Sequence, residues 1–340
     1  MFYCKDYVLA VALCTVTMFC WGSWGNTQKL AGKTWRYELF YWDYVIGLVL
    51  FAVVAGFTMG SLGGGPWSFA ENLKSSSSAQ WIWPFLGGVV FNASNILLSA
   101  AIAVAGMSVA FPVGVGLALV GGTVANWFVD GKGNPWLIWT GLAVIVASIV
   151  CNALAFKAKQ KNAANGASDA SGAKKGLVLA VCAGLLMSWF SPLVNRVVDM
   201  DFAGAAPKPG MMTPYAAFFL FTLGVFVSNF VFNTIMMKKP VSGKPVNASE
   251  WFKGGMLVHL VGVLGGCIWA TGTLLSFVTA GTAGAAIAYA LGQGATLVSA
   301  LWGILVWKEF AGAPRKSAML NFAMIVLFVA GLALLVKAGA

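Results

Sequence analysis

Apolar residues run along this chain in ten blocks of about twenty, separated by short polar or glycine-rich stretches. The blocks lie at 7–28, 40–60, 81–104, 107–129, 135–156, 176–198, 214–236, 254–279, 282–307 and 317–338. About 20 mostly apolar residues suffice for a helix to cross the hydrocarbon layer of a bilayer, so each block predicts a membrane-spanning helix. The third and fourth blocks part only at a tight turn around Gly106, and the eighth and ninth at the corresponding turn around Gly281. The longest hydrophilic insert, 157–175, is rich in Lys, Asn, Ala, Gly and Ser and reads as a flexible cytoplasmic linker. The chain thus divides into a five-helix unit over 1–156, the linker, and a second five-helix unit over 176–340.

The two units share a repeat. Gly88 to Val129 aligns with Gly266 to Trp307 without a gap: Gly88, Gly106, Gly114, Gly116, Leu119 and Val120 meet Gly266, Gly284, Gly292, Gly294, Leu297 and Val298. Phe91 meets Trp269 and Phe111 meets Tyr289, while Trp21 and Ser23 correspond more loosely to Trp189 and Ser191. An odd number of helices per copy forces the copies into the membrane in opposite orientations. The predicted fold is therefore an all-α membrane protein of ten transmembrane helices in two inverted five-helix repeats, a plan common among secondary transporters. The symmetry is imperfect: Asn92 and Asn95 face Ala270 and Thr273, and Pro112 faces Ala290.

Composition agrees with a lipid solvent, since 59% of the 340 residues are hydrophobic and only 9% are charged. The net charge of +11 lies in short tracts between apolar blocks and is no nucleic-acid footprint. Fifteen of the 21 Lys and Arg residues, from Lys29, Lys33 and Arg36 to Lys308, Arg315 and Lys316, fall in loops after odd-numbered helices. The positive-inside rule then puts both termini outside the cytoplasm, and the expected setting is a bacterial cytoplasmic (inner) membrane. The six cysteines show no CxxC spacing and read as small core residues, and no metal or cofactor is called for. The sequon Asn247-Ala248-Ser249 falls in a loop expected to be cytoplasmic.

A polar side chain in hydrocarbon is costly and normally faces another helix or a wet cavity. Helical spacing puts Trp21, Trp24, Gly25 and Gln28 on one face of the first helix. They suit a planar ring or a sugar face, or else an interfacial aromatic belt. The third helix carries Gly88, Asn92, Asn95 and Ser99 on one stripe, as paired carboxamides for a solute or for helix–helix bonding. Pro112 and Gly114 in the fourth helix, and Pro192 in the sixth beside Trp189 and Asn195, predict breaks that serve as hinges or cavity walls. Thr222, Asn229 and Asn233 lie near one face of the seventh helix. His259, Gly262, Gly266, Trp269 and Thr273 align on the eighth, and Tyr289, Gln293 and Thr296 on the ninth. The candidate solute-binding set is therefore Trp21, Trp24, Asn92, Asn95, Trp189, Asn195, Trp269, Thr273, Tyr289 and Gln293.

Ionisable groups inside the spans are few. Asp43, among Tyr41, Trp42 and Tyr44, is the candidate for coupling to a proton or sodium ion, with pairing to Arg36 or Lys33 as the alternative role. His259, the one histidine, is a second coupling candidate or a buried neutral imidazole. Asp130 and the pair Lys308-Glu309 sit at equivalent helix ends and read as boundary markers. An intramembrane enzyme would need a nucleophile–base pair or a metal cluster, and neither pattern occurs. A channel would need a ring of like charges or a filter repeat.

Several features together carry a resemblance. They are Asp43-Tyr44 opening the second helix, Gly87-Gly88 followed by Asn95, Gly106-Met107-Ser108-Val109, and Asn126 with Phe128 and Asp130. Phe190-Ser191-Pro192 with Asn195, Tyr215 with Ala217-Phe218-Phe219, and Gln293 through Leu297-Val298-Ser299 and Trp302-Gly303 to Glu309 complete it. The chain resembles the drug/metabolite transporter superfamily, and within it the ureide permease family, with the glucose/ribose porters as near neighbours. The resemblance implies ten helices and uptake of small uncharged solutes such as allantoin and nucleobases by proton symport. Secondary transport of a small neutral polar solute by alternating access is thus expected, with monosaccharide uptake or metabolite export as alternatives.

Overall fold

The computed structural model describes residues 1–62, 67–163, 170–202 and 208–339. Among them helices dominate, no strand forms, and the single bridge pairs Val198 with Met212. Ten spans among the described residues are long and apolar enough to cross a bilayer: α1 Tyr7–Ala31, α2 Tyr37–Phe57, α3 Ser78–Ala105, α4 Met107–Val129, α5 Pro135–Lys159, α6 Lys174–Asn195, α7 Pro214–Lys238, α8 Met256–Ala283, α9 Ala285–Val306 and α10 Arg315–Gly339. Helix starts follow ordinary capping rules. Asp6 accepts the Leu9 amide at the start of α1, and Thr213 caps α7 ahead of Pro214.

The packing partners obey an exchange of halves. Helix α1 packs on α8 and α6 on α3, while α2 packs on α8 and α7 on α3. The remaining main pairs, α2 with α7, α4 with α9 and α5 with α10, map onto themselves under that exchange. This pairing is compatible with the inverted repeat. The closest helix crossings repeat as well. A Cβ on Gly47 would meet the Val263 carbonyl and one on Gly266 the Tyr44 carbonyl; one on Gly224 would meet the Phe85 carbonyl and one on Gly88 the Phe221 carbonyl. With little hydrophobic drive between helices in lipid, such backbone contact is what small residues supply. Bulky apolar side chains on α5 and α10, among them Trp139, Val150, Phe322 and Val329, point outward where lipid would cover them.

Two details differ from expectation. The turn between α8 and α9 lies at Gly284, not Gly281, with φ +89° against +83° at Gly106. Both are backbone conformations that only glycine adopts easily. Gly281 stays helical and packs against the Met200 carbonyl. Helix also invades the expected linker from both sides, with α5 continuing to Ala163 and the α6 helix starting at Ala170. The Ala, Lys and Gln of that stretch are good helix formers. Its middle, 164–169, lies outside the described residues.

Helices α4 and α9 both lose regular geometry at equivalent positions. In α4 the turn Phe111–Val115 is π-helical, with the Gly116 amide bonded to the Phe111 carbonyl, and Pro112 within it has no N–H to offer the Ser108 carbonyl. In α9 the helix breaks between Gly292 and Ala295. Helix α6 is interrupted at Ser188 and Trp189, one turn before Pro192, whose missing N–H would have bonded the Ser188 carbonyl.

Candidate functional site

The irregular stretches of α4, α6 and α9 converge with α1, α3 and α8 around one enclosed cavity. Trp21 and Trp24 line it from α1, Phe91, Asn95 and Leu98 from α3, Phe111 and Val115 from the π-turn, Met187 and Phe190 from α6, Trp269 from α8, and Gln293 and Ala295 from the break in α9. About 20 Å³ is open to water centres, room for about one water. The chain is therefore closed around this space, and a solute-sized ligand needs the helices to part.

Aromatic rings form most of the wall. The Trp269 ring stacks on Trp21 at 6.0 Å and on Phe221 at 6.0 Å, and lies 4.1 Å from Phe91. Phe190 meets Phe91 and Tyr289 at 5.4 and 5.8 Å, and Trp24 meets Tyr44 at 4.9 Å. The Trp21 indole N–H donates to Thr273 Oγ1 at 2.9 Å, so both tryptophans are held in fixed orientation. Tyr289 is buried, with its hydroxyl bonded to the Met187 carbonyl at 3.1 Å. Thr273 and Tyr289 thus support the wall from behind.

The two carboxamides of α3 do different work. Asn92 is satisfied on both sides: Oδ1 accepts from the Tyr41 hydroxyl at 3.0 Å and Nδ2 donates to Ser228 Oγ at 3.0 Å. It ties α3 to α2 and α7. Asn95 donates Nδ2 to Tyr41 Oη at 3.2 Å, but its buried Oδ1 has no hydrogen-bond partner among the described residues. A buried acceptor left open is costly, and such groups call for an explanation by a ligand or water. Gln293, buried at the α9 break, supplies the second amide of the wall.

Two sequence candidates fall elsewhere. Trp189 is 58% exposed on the outer surface. The break before Pro192 turns it outward and brings Phe190, 1% exposed, into the cavity instead. Asn195 lies in a separate polar cluster, donating to Asn126 Oδ1 at 2.8 Å and Ser191 Oγ at 3.1 Å. The aromatic-belt alternative for Trp21 and Trp24 does not fit, because both are buried inside the bundle.

Asp43 and His259, considered separately in the sequence, form one unit. Asp43 Oδ1 lies 2.8 Å from His259 Nδ1 and accepts the Trp251 indole N–H at 2.8 Å, while the buried Oδ2 makes no hydrogen bond within normal geometry among the described residues. The Trp35 and Trp251 rings pack against the imidazole at 5.5 and 4.6 Å. The alternative pairing of Asp43 with Arg36 or Lys33 does not form. Arg36 instead holds Glu38, with Nη2 at 2.6 Å from Oε1. His259 and Trp269 lie on the same helix, about 15 Å apart along its axis, so the pair and the cavity share α8.

The model of one protein family, described as ureide permease, matches residues 40–175 and 169–338. The chain belongs to the ureide permease family. Ureide permease 1 and Ureide permease 2 of Arabidopsis thaliana are 25% and 24% identical to it, each alignment covering 96% of both chains. A more distant relative, from Streptococcus agalactiae and named for sugar uptake, is 22% identical over 88% of both chains. A solved crystal structure, 17% identical with a TM-score of 0.56 over 96% of both chains, shares the fold. The protein is accordingly a membrane transporter and not an enzyme.

In this permease the sequence alone missed several contributors. Phe91 and Phe111 were visible as repeat positions, and Phe190 as part of Phe-Ser-Pro, yet none carries the polar atom that flags a site. Trp251 sits in a short 3-10 turn far from Asp43 in sequence, with no local signal. Glu309 is more than a boundary marker. Its carboxylate accepts the Met107 and Ser108 amides at 3.1 and 2.8 Å, bonds the Ser108 hydroxyl and pairs with Lys29. Burial pushes this carboxyl up, but the bonds from Lys29 and Ser108 outweigh it and hold it below its ordinary range. Glu309 thereby caps the amide end of α4 and joins the ends of α1 and α9 to it. The side chain of Asp130, at the equivalent end of α4, lies outside the described residues.

Proposed function

We propose that this transporter imports a small, neutral, planar amide of the ureide or nucleobase class, such as allantoin or uracil, by proton symport with alternating access. The observation that carries the reading is the open Asn95 Oδ1 beside Gln293 within a wall of aromatic rings. An amide edge offers one N–H and one C=O, which match an acceptor and a carboxamide, while its flat faces stack on indole and phenyl rings. No formal charge lines the cavity, which suits an uncharged solute. The relatives named as ureide permeases support the same class. The streptococcal sugar uptake relative motivates a second reading, a monosaccharide held by the same amides against one indole face.

Coupling runs through the Asp43–His259 pair. Proton binding at the open Asp43 oxygen, or at the imidazole, changes the bond that ties α2 to α8. Helix α8 carries that change toward Trp269. The neighbours of Asp43 Oδ1 are ring nitrogens of Trp251 and His259, whereas a sodium ion prefers a shell of oxygens, so a proton is the better fit. Both termini lie outside the cytoplasm in this reading, because the loops after odd-numbered helices hold most of the basic residues. The breaks at Pro112, Gly114 and Pro192, with that in α9, let the helix ends lean apart around the cavity.

Uptake of labelled allantoin or uracil into liposomes bearing the purified protein, with and without an imposed pH gradient, tests this. Accumulation should follow the gradient and vanish in Asp43→Asn, while exchange without a gradient persists. Full gradient-driven accumulation by Asp43→Asn would refute the coupling role. Competition by ribose or glucose but not by ureides would refute the substrate class.

A further inference from the structure

A second, larger cavity lies one helical turn beyond the enclosed one. It is lined by Gln28, Lys29, Arg36, Glu38, Ile102 and Ser242, among others, and about 320 Å³ of it is open to water centres. It opens at the end of the bundle where the basic loops gather. Along α1, Trp24 lines the enclosed cavity and Gln28, four residues later, lines the open one. Along α3, Asn95 and Leu98 line the first, Ile102 and Ala103 the second, and Ser99 falls between. The barrier between the cavities on this side is therefore a single layer, about 5 Å deep along the helices.

Within that layer a reciprocal pair joins α1 to α3. Ser99 Oγ donates to Gln28 Oε1 at 2.7 Å, and Gln28 Nε2 donates to the Ser99 carbonyl at 2.9 Å. Both side chains are buried. Helices α1 and α3 otherwise scarcely touch: α1 packs on α8 and α9, whereas α3 packs on α6 and α7. The pair thus closes a seam between two separately supported helices. Its bonds are neutral, so parting them exposes no unpaired charge and each partner can turn to water in the vestibule. An ion pair at the same place would hold more strongly and cost more to desolvate on closing.

We propose that the Gln28–Ser99 pair is the gate between the solute cavity and the basic-side vestibule, and that separation of α1 from α3 at this pair is the exit step. The proposal rests on the enclosed cavity being the solute site, but its test needs no solute. In a chain with the native cysteines replaced, Leu98→Cys reports on the enclosed cavity and Ala103→Cys on the vestibule. A small membrane-impermeant methanethiosulfonate cation is added from one face of the membrane, then from the other. From the vestibule face Ala103→Cys should react fast whatever stands at 28 and 99. Leu98→Cys should react slowly with the pair intact and about tenfold faster with Gln28→Ala or Ser99→Ala, the shift expected for losing one or two neutral hydrogen bonds. Ser99→Thr, which keeps the hydroxyl, should stay near the parent rate, and thermal unfolding of each variant shows whether it is folded. From the opposite face Leu98→Cys should not speed up. Unchanged Leu98→Cys rates from the vestibule face, equal acceleration from both faces, or an unreactive Ala103→Cys would each overturn the gate. Failure of the ureide assignment would leave these rates unaffected.

Discussion

Asn92 and Asn95 sit one turn apart on α3, and replacing each by leucine should separate solute recognition from helix packing. Asn95→Leu removes the buried Oδ1 that has no protein partner, together with one bond to Tyr41 of 3.2 Å. If that oxygen accepts the solute N–H, its loss leaves a desolvated donor on the bound solute. Such a group costs about 1–3 kcal/mol, so KM should rise roughly 5- to 150-fold. Thermal stability should change little, since an unsatisfied buried acceptor is removed as well. Asn92→Leu breaks two bonds of 3.0 Å that tie α3 to α2 and α7. It should cost about 2 kcal/mol of stability and leave KM within about twofold. The assay is initial uptake rate against concentration of labelled allantoin or uracil, with the unfolding midpoint in detergent measured on the same preparations. A silent Asn95→Leu beside an Asn92→Leu that loses uptake at unchanged stability would exclude Asn95 as the solute contact.

Further outcomes follow from other contacts. The Glu309 carboxyl is held below its ordinary value of 4.5, so its contribution to stability is full above that value and is lost as pH falls through the lower folded one. Glu309→Gln should therefore unfold at a lower temperature than the parent at neutral pH, and the gap should close in unfolding scans taken at pH values falling below 4.5. Gly224→Ala and Gly47→Ala push a Cβ into the carbonyls of Phe85 and Val263 and should each cost about 1–3 kcal/mol by thermal unfolding. Gly255→Ala, with open space around it, should be neutral in the same scans. Phe190→Leu should raise KM about two- to tenfold through lost ring contact, whereas the outward Trp189→Ala should leave uptake unchanged.

Much of the fold was legible because hydrocarbon imposes a length on every span, and ten apolar blocks of that length stand out against short polar breaks. The repeat also named the glycines of the closest crossings, Gly88 and Gly266, before any contact was visible. Side-chain direction was harder to read. Near a proline the helical wheel fails, and the interruption before Pro192 exchanged Trp189 for Phe190 at the cavity. A count of polar residues also cannot tell a satisfied amide from an open one. Asn92 and Asn95 are equal in the sequence and differ only through Tyr41 and Ser228, contributed by two other helices. The same limit hid the Asp43–His259 pair, whose members lie on different helices in different halves. Glu309 read as a boundary residue because the amides it caps, on Met107 and Ser108, are distant along the chain.

Counterflow shows whether the enclosed aromatic cavity takes a neutral planar amide. Liposomes carrying the purified protein are preloaded with unlabelled allantoin, uracil, ribose or glucose and diluted into a trace of the same labelled solute, so no coupling ion is needed. Labelled allantoin or uracil should accumulate transiently, less so in Asn95→Leu, and labelled ribose or glucose should not. Accumulation with a sugar alone, or accumulation of a ureide or nucleobase that Asn95→Leu leaves intact, would contradict it.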